Sequence, residues 1–251
     1  MTSGLGARLA DLDARIGDAA RSAGRDPSEL TRIVVTKFHP VQLIDDLYAL
    51  GVRDVGESRQ QELTAKVDAL RPTDRPGTAQ APGGAHRPAG AAGAVDDLRW
   101  HFVGQVQTKK ARAVRAASDV VHSVDRDRLA DALHAADPDG VALDVFLQVN
   151  LTDDPSRGGV APSDLESLTT HVAARCPSLR VRGVMAVAPL TDAPAAAFER
   201  LARAAATVRA VVPDATWISA GMSADFAEAI AAGATHLRIG TAITGARPTR
   251  G

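Results

Sequence analysis

TRIVVTKFHP, residues 31–40, places a run of β-branched residues directly before a lysine. β-Branched residues favour a buried strand, whereas a lysine is almost never fully buried without a partner. The strand predicted over 32–37 is followed by PVQLIDDLYALG (40–51), whose apolar spacing is that of a helix ending at Gly51. A short strand followed at once by a helix is the building block of parallel sheets.

The same strand-then-helix unit recurs along the rest of the chain. Further strands are predicted in 53–57, 99–104, 119–124, 142–150, 179–187, 216–220 and 235–240, with helices at 59–70, from about 107, 126, 162, 194 and 223, and at the C-terminus. Eight such units are the number that closes a (β/α)8 barrel, so an α/β barrel is the predicted fold and an open doubly wound sheet is the alternative. Before the first unit, Leu5, Leu9, Leu12 and Ile16 predict an extra amphipathic helix over 3–23.

Residues 71–97, RPTDRPGTAQAPGGAHRPAGAAGAVDD, interrupt the series between the second and third units. This segment is rich in Pro, Gly and Ala and has almost no large apolar side chain, so it cannot bury enough surface to offset the cost of ordering it. We therefore expect a flexible surface insertion. Because the strand-helix pattern resumes unchanged beyond it, residues 1–251 are predicted to form a single domain.

Composition narrows the classes of function. With 29 basic and 30 acidic residues the formal net charge is -1, which lacks the basic excess that a nucleic-acid-binding protein needs. The N-terminus has no signal-peptide pattern and no run of about 18 apolar residues occurs, so we expect a cytoplasmic protein without membrane contact. The single cysteine, Cys176, excludes an internal disulfide and is expected to be a passive thiol, and the seven histidines show no metal-ligand spacing.

Lys37 is the first candidate functional residue. Alternation along the first strand places Ile33, Val35 and Lys37 on one face. If that face is the barrel interior, Lys37 reaches the C-terminal mouth, where such barrels carry their chemistry. An amine partly desolvated there can condense with an aldehyde to form a Schiff base. The alternative is a solvated lysine at a strand end.

Two loops near the C-terminus have the features of a phosphate site. WISAGMSADFAEAI (217–230) predicts a helix with Ser223 at its N-cap, and LRIGTAITGAR (237–247) predicts a short helix opened by Gly240 and Thr241. Both offer backbone N–H groups beside a hydroxyl, and the loops after strands seven and eight are where such barrels hold phosphate. A plain N-cap and a common turn are the alternative interpretations. A reactive amine and a phosphate site at one mouth suggest pyridoxal 5'-phosphate (PLP) as cofactor.

Several blocks of sequence together resemble the YggS/PROSC family of pyridoxal phosphate homeostasis proteins. They run from about residue 5 to 247 and read VVTKFHP, GVRDVGESRQQEL, RWHFVGQVQTKKAR, VHSVDR, FLQVNLTDDPSRGGV, LRVRGVMAVAP and SAGMSADFAEAIAAGATHLRIGTAITGAR. The resemblance implies a PLP barrel of fold type III, like the N-terminal barrel of alanine racemase. It implies that Lys37 forms the Schiff base, that Ser223, Gly240 and Thr241 hold the phosphate, and that Arg238 faces the pyridine nitrogen.

Arg238 at that position has a chemical consequence. A guanidinium only donates hydrogen bonds, so the ring nitrogen it contacts stays unprotonated and the cofactor becomes a weaker electron sink. Strong carbanion chemistry is thereby disfavoured. The alternative interpretation is an arginine that pairs with a carboxylate at the barrel rim.

Other residues are weaker candidates for the site. Met222, His101 and Met185 are taken as possible cofactor contacts, and the last two could equally be core residues. Ser58 stands where the family usually has Asn, which shortens or removes one contact to the cofactor. Lys109 likewise replaces a common Asn, and Arg157 could meet a substrate carboxylate or be solvated.

The choice between enzyme and carrier depends on a second base. A racemase needs one base on each face of the bound substrate. In alanine racemase the second base is a tyrosine supplied by an additional β-domain from the partner subunit. This chain is expected to end with the barrel, and its sole tyrosine is Tyr48. We therefore expect a non-catalytic protein, monomeric or weakly dimeric, that buffers PLP or delivers it to apo PLP-dependent enzymes. A weak racemase or lyase using His101 or a water, and an aldolase using Lys37 without PLP, are the alternatives.

Overall fold

The computed structural model describes residues 2–70 and 97–246. Its helices are α1 (Thr2–Ser22), α2 (Gln42–Ala49), α3 (Gln60–Leu70), α4 (Ala111–Ala117), α5 (Asp127–Ala135), α6 (Leu165–Arg175), α7 (Pro194–Val211), α8 (Phe226–Ala231) and α9 (Thr241–Thr244). Its strands are β1 (Thr31–Val35), β2 (Asp54–Glu57), β3 (Arg99–Phe102), β4 (Val120–Val124), β5 (Leu143–Gln148), β6 (Leu179–Met185), β7 (Trp217–Ser219) and β8 (His236–Ile239).

The eight strands form one closed barrel in sequence order, and every neighbouring pair is parallel. Pairing of β8 with β1 closes the sheet, with Ile33 opposite Arg238 and Val34 opposite Ile239. The predicted (β/α)8 barrel is confirmed. The alternative of an open doubly wound sheet is wrong, because such a sheet keeps two unpaired edges.

Alternation along the strands separates two sets of side chains. Val34, Val55 and Leu237 belong to the main apolar core between the barrel and its helices. Ile33 and Val35 point into the barrel, where a Cβ built on Gly56 of the neighbouring strand would lie 3.1 Å and 3.4 Å from their methyl carbons. The prediction that one face of β1 points into the barrel is therefore correct for Ile33 and Val35.

The extra N-terminal helix predicted over 3–23 is α1. Its apolar stripe of Leu5, Leu9, Leu12 and Ile16 is buried, and the helix packs against α8 and α9. Arg8 Nε also donates to the carbonyl of Ile243 at 2.7 Å. Helix α1 thereby supports the last helix of the barrel, which follows β8 at the mouth.

Two predicted boundaries next to the site are wrong. Strand β1 ends at Val35, so Lys37 lies in the turn that follows and not on the strand. Helix α8 begins at Phe226 with Asp225 at its N-cap, not with Ser223. The reason is that Met222 N–H donates to Asp225 Oδ1 at 2.6 Å, which closes a turn over Ser223 and delays the helix.

Two further predictions concern the whole chain. All but the last residue of the predicted insertion 71–97 lie outside the described residues, and a single domain over 1–251 stays a prediction. Over 2–70 and 97–246 the structure contains no helix with the length and apolarity needed to cross a membrane.

Candidate functional site at the barrel mouth

Lys37 lies at the C-terminal mouth of the barrel, in the turn after β1, with an exposed side chain. Its Nζ is 6.0 Å from the centroid of the Phe38 ring, and no other described residue offers it a hydrogen bond or an ion pair. The alternation of side chains predicts Lys37 on the inward face of β1, where the strand would partly desolvate the amine. In the structure the side chain lies beyond the strand and is exposed. The amine is instead open to a ligand at the mouth.

The residue before Lys37 is tightly held. Thr36 N–H donates to the carbonyl of Gly56 at 3.0 Å, and the Thr36 hydroxyl donates to Glu57 Oε1 at 2.7 Å. Lys66 Nζ, from α3, donates to the carbonyl of Thr36 at 2.9 Å and to Glu57 Oε1 at 2.5 Å. Strand β2 and helix α3 thus fix the chain immediately before the amine.

The residue after Lys37 is held as well, and in an unusual conformation. Phe38 has a φ of 70°, the one positive φ of a non-glycine residue in the described part of the chain. Its N–H donates to Glu62 Oε2 at 2.9 Å, and the Arg59 guanidinium lies 4.7 Å from its ring centroid. Helix α3 therefore contacts both sides of Lys37.

Arg238 points into the barrel from β8 and is almost fully buried. Its Nη1 donates to Ser219 Oγ at 2.7 Å and its Nη2 donates to the carbonyl of Ala186 at 2.8 Å. No carboxylate of the described residues pairs with it, so the predicted alternative of a rim ion pair is wrong. Burial lowers the pKa of Arg238 to about 10, with the charge of Asp225 opposing it, so the side chain remains a cation at neutral pH.

A chain of hydrogen bonds runs from Arg238 through the barrel interior. Ser219 Oγ lies 2.8 Å from His122 Nδ1, His122 Nε2 lies 2.9 Å from His101 Nδ1, and His101 Nε2 lies 2.9 Å from Asp54 Oδ1. The ionised carboxylate can only accept, so His101 Nε2–H donates to Asp54. With a neutral His101, its Nδ1 accepts from His122, and His122 Nδ1 accepts from the Ser219 hydroxyl. We call these five residues the interior relay.

The electrostatics of the relay agree with that donor order. Burial holds the pKa of His122 well below its usual range, so this imidazole is neutral and carries one N–H. Burial would raise the pKa of Asp54, but the hydrogen bond from His101, together with the charge of Arg99, outweighs burial, and the net shift is downward. Asp54 starts β2, so the relay links the guanidinium near the mouth to a carboxylate at the opposite end of the barrel.

The loops after β7 and β8 lie side by side, because Arg238 N–H donates to the carbonyl of Gly221 at 2.9 Å. Gly221 has a φ of +88°, and a Cβ there would lie 2.8 Å from Ala229 Cβ, so only glycine fits this turn. In the described structure the N–H and hydroxyl groups of Ser223 and Thr241 have no acceptor. As predicted, Gly240 is the N-cap of the short helix α9.

These loops differ from the predicted phosphate site in one respect. Helices α8 and α9 have six and four residues, so neither supplies much of a helix dipole. Any anion held here would be bound by individual N–H and hydroxyl groups.

The remaining predicted site residues fall in three environments. Met185, at the end of β6, is buried in the interior against Val120 and Phe146. His101 is fully buried in the relay, with both ring nitrogens engaged. Met222 is partly exposed on the loop before α8.

Ser58 lies farther round the mouth, after β2. With Arg59, Gln105, Lys110 and others it lines a cavity of about 270 Å³ between the start of α3 and the loop after β3. Arg157, in a short turn after β5, is exposed.

Tyr48 and Cys176 lie away from the mouth. The Tyr48 hydroxyl donates to Asp97 Oδ1 at 2.7 Å on the outer surface, just before β3. Cys176 Sγ donates to Asp131 Oδ1 at 3.6 Å, and burial raises the pKa of this thiol to about 11, as a passive thiol requires. His171 Nε2 also contacts Asp131, at 2.7 Å. Sequence spacing does not reveal this cluster of three side chains, because Asp131 lies 40 residues before His171.

The sequence matches the family model of the alanine racemase N-terminal domain over residues 28–248. It is also 37% identical over 240 residues to the pyridoxal phosphate homeostasis protein of Pseudomonas aeruginosa, covering 95% of this chain and 94% of that protein. The chain belongs to the alanine racemase N-terminal domain family. The pyridoxal phosphate homeostasis protein of Escherichia coli K12, 35% identical over 243 residues and covered to 95%, is a further relative in this family.

Solved structures agree with this family assignment. PipY of Synechococcus elongatus, solved with PLP bound, is 33% identical, with a TM-score of 0.75 over 96% of this chain and 100% of PipY. Alanine racemase of Corynebacterium glutamicum aligns with all of this chain and 62% of its own length at a TM-score of 0.65. Its identity is only 16%, so that likeness shows the shared barrel fold alone.

Proposed function

We propose that this chain binds PLP at the barrel mouth and serves PLP homeostasis, holding the cofactor without carrying out catalysis. The observation that carries the proposal is the exposed Lys37 amine at the same mouth as a buried Arg238 guanidinium and two loops with open hydrogen-bond donors. The relatives named for PLP homeostasis, and PipY with PLP bound, support it.

The donor set fits the chemical parts of this cofactor. PLP supplies an aldehyde, a phosphate and a pyridine ring that acts as an electron sink when its nitrogen is protonated. Lys37 Nζ forms the C=N bond to the aldehyde carbon, and the aldehyde oxygen leaves as water with the two amine protons. The open N–H and hydroxyl groups of Ser223 and Thr241, with Gly240 between the strand and α9, would hold the phosphate.

Arg238 would meet the ring nitrogen as a hydrogen-bond donor. Two of its nitrogens are already bonded to Ser219 and Ala186, which fixes the plane of the guanidinium. Because this cation does not give up its proton at neutral pH, a ring nitrogen beside it stays unprotonated. The bound cofactor is then a weak electron sink, which suits storage better than catalysis. Met185, Met222 and Ser58 are proposed to line the same pocket.

The described residues provide no obvious second base for a racemase. Tyr48 is hydrogen-bonded to Asp97 on the outer surface. His101, the alternative base, has both ring nitrogens engaged below the mouth. A non-catalytic role is consistent with both observations.

Delivery of the cofactor needs a surface beside the mouth that a recipient can contact. Val187 and Leu190, in the loop after β6, and Met222, after β7, are 47%, 94% and 38% exposed. We propose that apo PLP-dependent enzymes meet this apolar rim, and that the protein itself is a monomer or weak dimer in the cytoplasm.

An absorption experiment tests the binding proposal. The purified protein is mixed with PLP, desalted, and its visible spectrum recorded, with Lys37→Ala and Lys109→Ala treated in parallel. We expect a visible band in the wild type and in Lys109→Ala that survives desalting, and no such band in Lys37→Ala. Borohydride reduction followed by peptide mass spectrometry should place the cofactor on Lys37. A wild-type protein that takes up no PLP would overturn the proposal.

A weak PLP-dependent racemase or lyase is the second candidate, favoured by the match to the alanine racemase family model. Exchange of the α-proton of amino acids in deuterated water distinguishes the two. Rapid exchange with loss of stereochemistry, dependent on Lys37, would favour the enzyme. Absence of exchange in a fully PLP-loaded sample favours the carrier.

A further inference from the structure

Among the described residues the side chain of Lys37 has no hydrogen bond or ion pair, yet the residues on both sides of it are bonded to charged groups of β2 and α3. We propose that the buried Glu57–Lys66 ion pair is a positioning device, which fixes the backbone from which Lys37 presents its amine. The inference rests on the proposed function, because it concerns the amine that binds the cofactor.

The Glu57–Lys66 ion pair contacts the chain at the point where the hydrogen bonds between β1 and β2 end. The β1–β2 ladder ends with the bond from Thr36 N–H to the carbonyl of Gly56. Beyond it, the Thr36 carbonyl accepts from Lys66 Nζ, and the Thr36 hydroxyl donates to Glu57. The pair thus replaces main-chain hydrogen bonds at the last residue before the amine.

Stability alone does not explain a charged pair at this place. The side chains of Lys66 and Glu57 are 9% and 0% exposed, and taking two such charges out of water costs several kcal/mol each. Glu57 Oε2 is buried without a hydrogen bond among the described residues, and burial raises the pKa of Glu57 against the opposing effect of Lys66. An apolar pair of similar volume would stabilise the fold at least as well. Only the polar pair gives directed bonds to Thr36.

The turn that contains Lys37 and Phe38 has a strained backbone, which neighbouring residues must stabilise. A bulky residue at positive φ costs about 1–2 kcal/mol relative to its usual conformations. Phe38, at a φ of 70°, is kept there by its bond to Glu62 on one side and by the fixed Thr36 on the other. If Thr36 is released, Phe38 can return to negative φ, and this rotation carries Lys37 away from its position at the mouth.

The test separates positioning from stability. In Glu57→Leu/Lys66→Met both charges are removed together, so no unpaired charge is left buried and the barrel should fold. We expect the rate of covalent PLP capture, followed by the visible band, to fall at least tenfold. In cofactor-free protein, amide hydrogen exchange across residues 36–39 should rise at least tenfold, a readout that does not depend on PLP. As a matched control, Asp18→Leu/Arg21→Met removes an exposed ion pair from α1 and should change neither quantity.

The same double substitution, made in the Lys37→Ala protein, shows whether its effect on PLP binding depends on Lys37. In Lys37→Ala only non-covalent PLP binding remains, and adding the double substitution there should change its Kd less than twofold. If the double variant does not fold, Glu62→Ala replaces it, because this half-buried residue holds only the Phe38 side of the turn, and capture should slow several-fold. Unchanged capture in the folded variant, or equal loss of non-covalent binding, would overturn the positioning role. A wild type without Lys37-dependent capture would instead overturn the proposed function.

Discussion

The interior of the barrel and its mouth use polar side chains in opposite ways. In the interior, the relay passes hydrogen bonds in one direction from Arg238 to Asp54, and its inner members are buried and bonded. At the mouth, the Lys37 amine and the N–H and hydroxyl groups of Ser223 and Thr241 have no hydrogen-bonded partner among the described residues. Ser223 and Thr241 follow β7 and β8, the strands that carry Ser219 and Arg238, whereas Lys37 follows β1.

The difference follows from access to water. A buried polar group without a partner costs about 1–3 kcal/mol, so the interior must satisfy every donor and acceptor that it contains. At the mouth water satisfies such groups, and a ligand can later replace the water. Open donors grouped at one end of a closed barrel therefore indicate a binding site, whereas a complete network indicates a scaffold.

The largest expected loss of stability is at His122. His122→Ala removes two hydrogen bonds of the relay and leaves a cavity and two unpaired groups, on His101 and Ser219. We expect the free energy of unfolding, measured by urea denaturation, to fall by about 3 kcal/mol. A change below about 1 kcal/mol would mean that the relay is not a complete network in solution.

Removal of the terminal acceptor should have a smaller effect. Asp54→Ala leaves the His101 Nε2–H without its acceptor, and we expect a loss of about 1–3 kcal/mol in the free energy of unfolding. Asp54→Asn is the matched control, since its amide oxygen can still accept this bond and most of the stability should remain. Equal losses in the two variants would contradict the donor order given for the relay.

The buried imidazoles predict a pH dependence. Burial, reinforced by the charge of Arg99, lowers the pKa of His236 to about 3, whereas the unfolded side chain titrates near pH 6.5. Between these values the unfolded state binds a proton that the folded state does not, so stability falls as the pH drops. The contribution is up to about 1.4 kcal/mol per pH unit for this residue. His236→Gln should reduce the slope of the unfolding free energy between pH 6 and pH 4, measured against the wild type.

The smallest change in stability is expected at the mouth. Ser223→Ala and Thr241→Ala remove groups that are unbonded in the described structure, so the free energy of unfolding should change by less than about 0.5 kcal/mol. Their affinity for PLP should nevertheless fall, by about tenfold each, because a hydrogen bond to a charged group is worth about 1.5–3 kcal/mol. Unchanged affinity in both variants would place the phosphate elsewhere.

The fold could be predicted from the sequence because its signal repeats. Eight strand-helix units in order admit few arrangements, and the (β/α)8 barrel is among them. Errors occurred where local signals compete. Ser223 and Asp225 are both good N-cap residues, and the bond from Met222 N–H to the Asp225 carboxylate decided between them. The alternation of side chains along a strand placed Lys37 on β1, because the alternation cannot show that β1 ends at Val35.

The candidate site was predictable only in part. Lys37 and the loops after β7 and β8 could be selected from the sequence, because the chemistry of an amine and a glycine turn is local, whereas Arg238 was selected through the resemblance to a known family. Glu57 and Lys66 gave no such signal. Residues 57 and 66 look like an ordinary strand end and an ordinary helical lysine until the structure buries them together beside Thr36.

The sequence by itself determined the barrel, the extra N-terminal helix and which residue types reach the mouth, because hydrophobic periodicity and turn chemistry act over a few neighbouring positions. Only the tertiary structure decided which polar groups are paired. Asp54, His101, His122, Ser219 and Arg238 come from five different strands, and their hydrogen bonds exist only once the barrel has closed. Burial forces these groups to be satisfied, and the same closure leaves Lys37 at the mouth with its amine open.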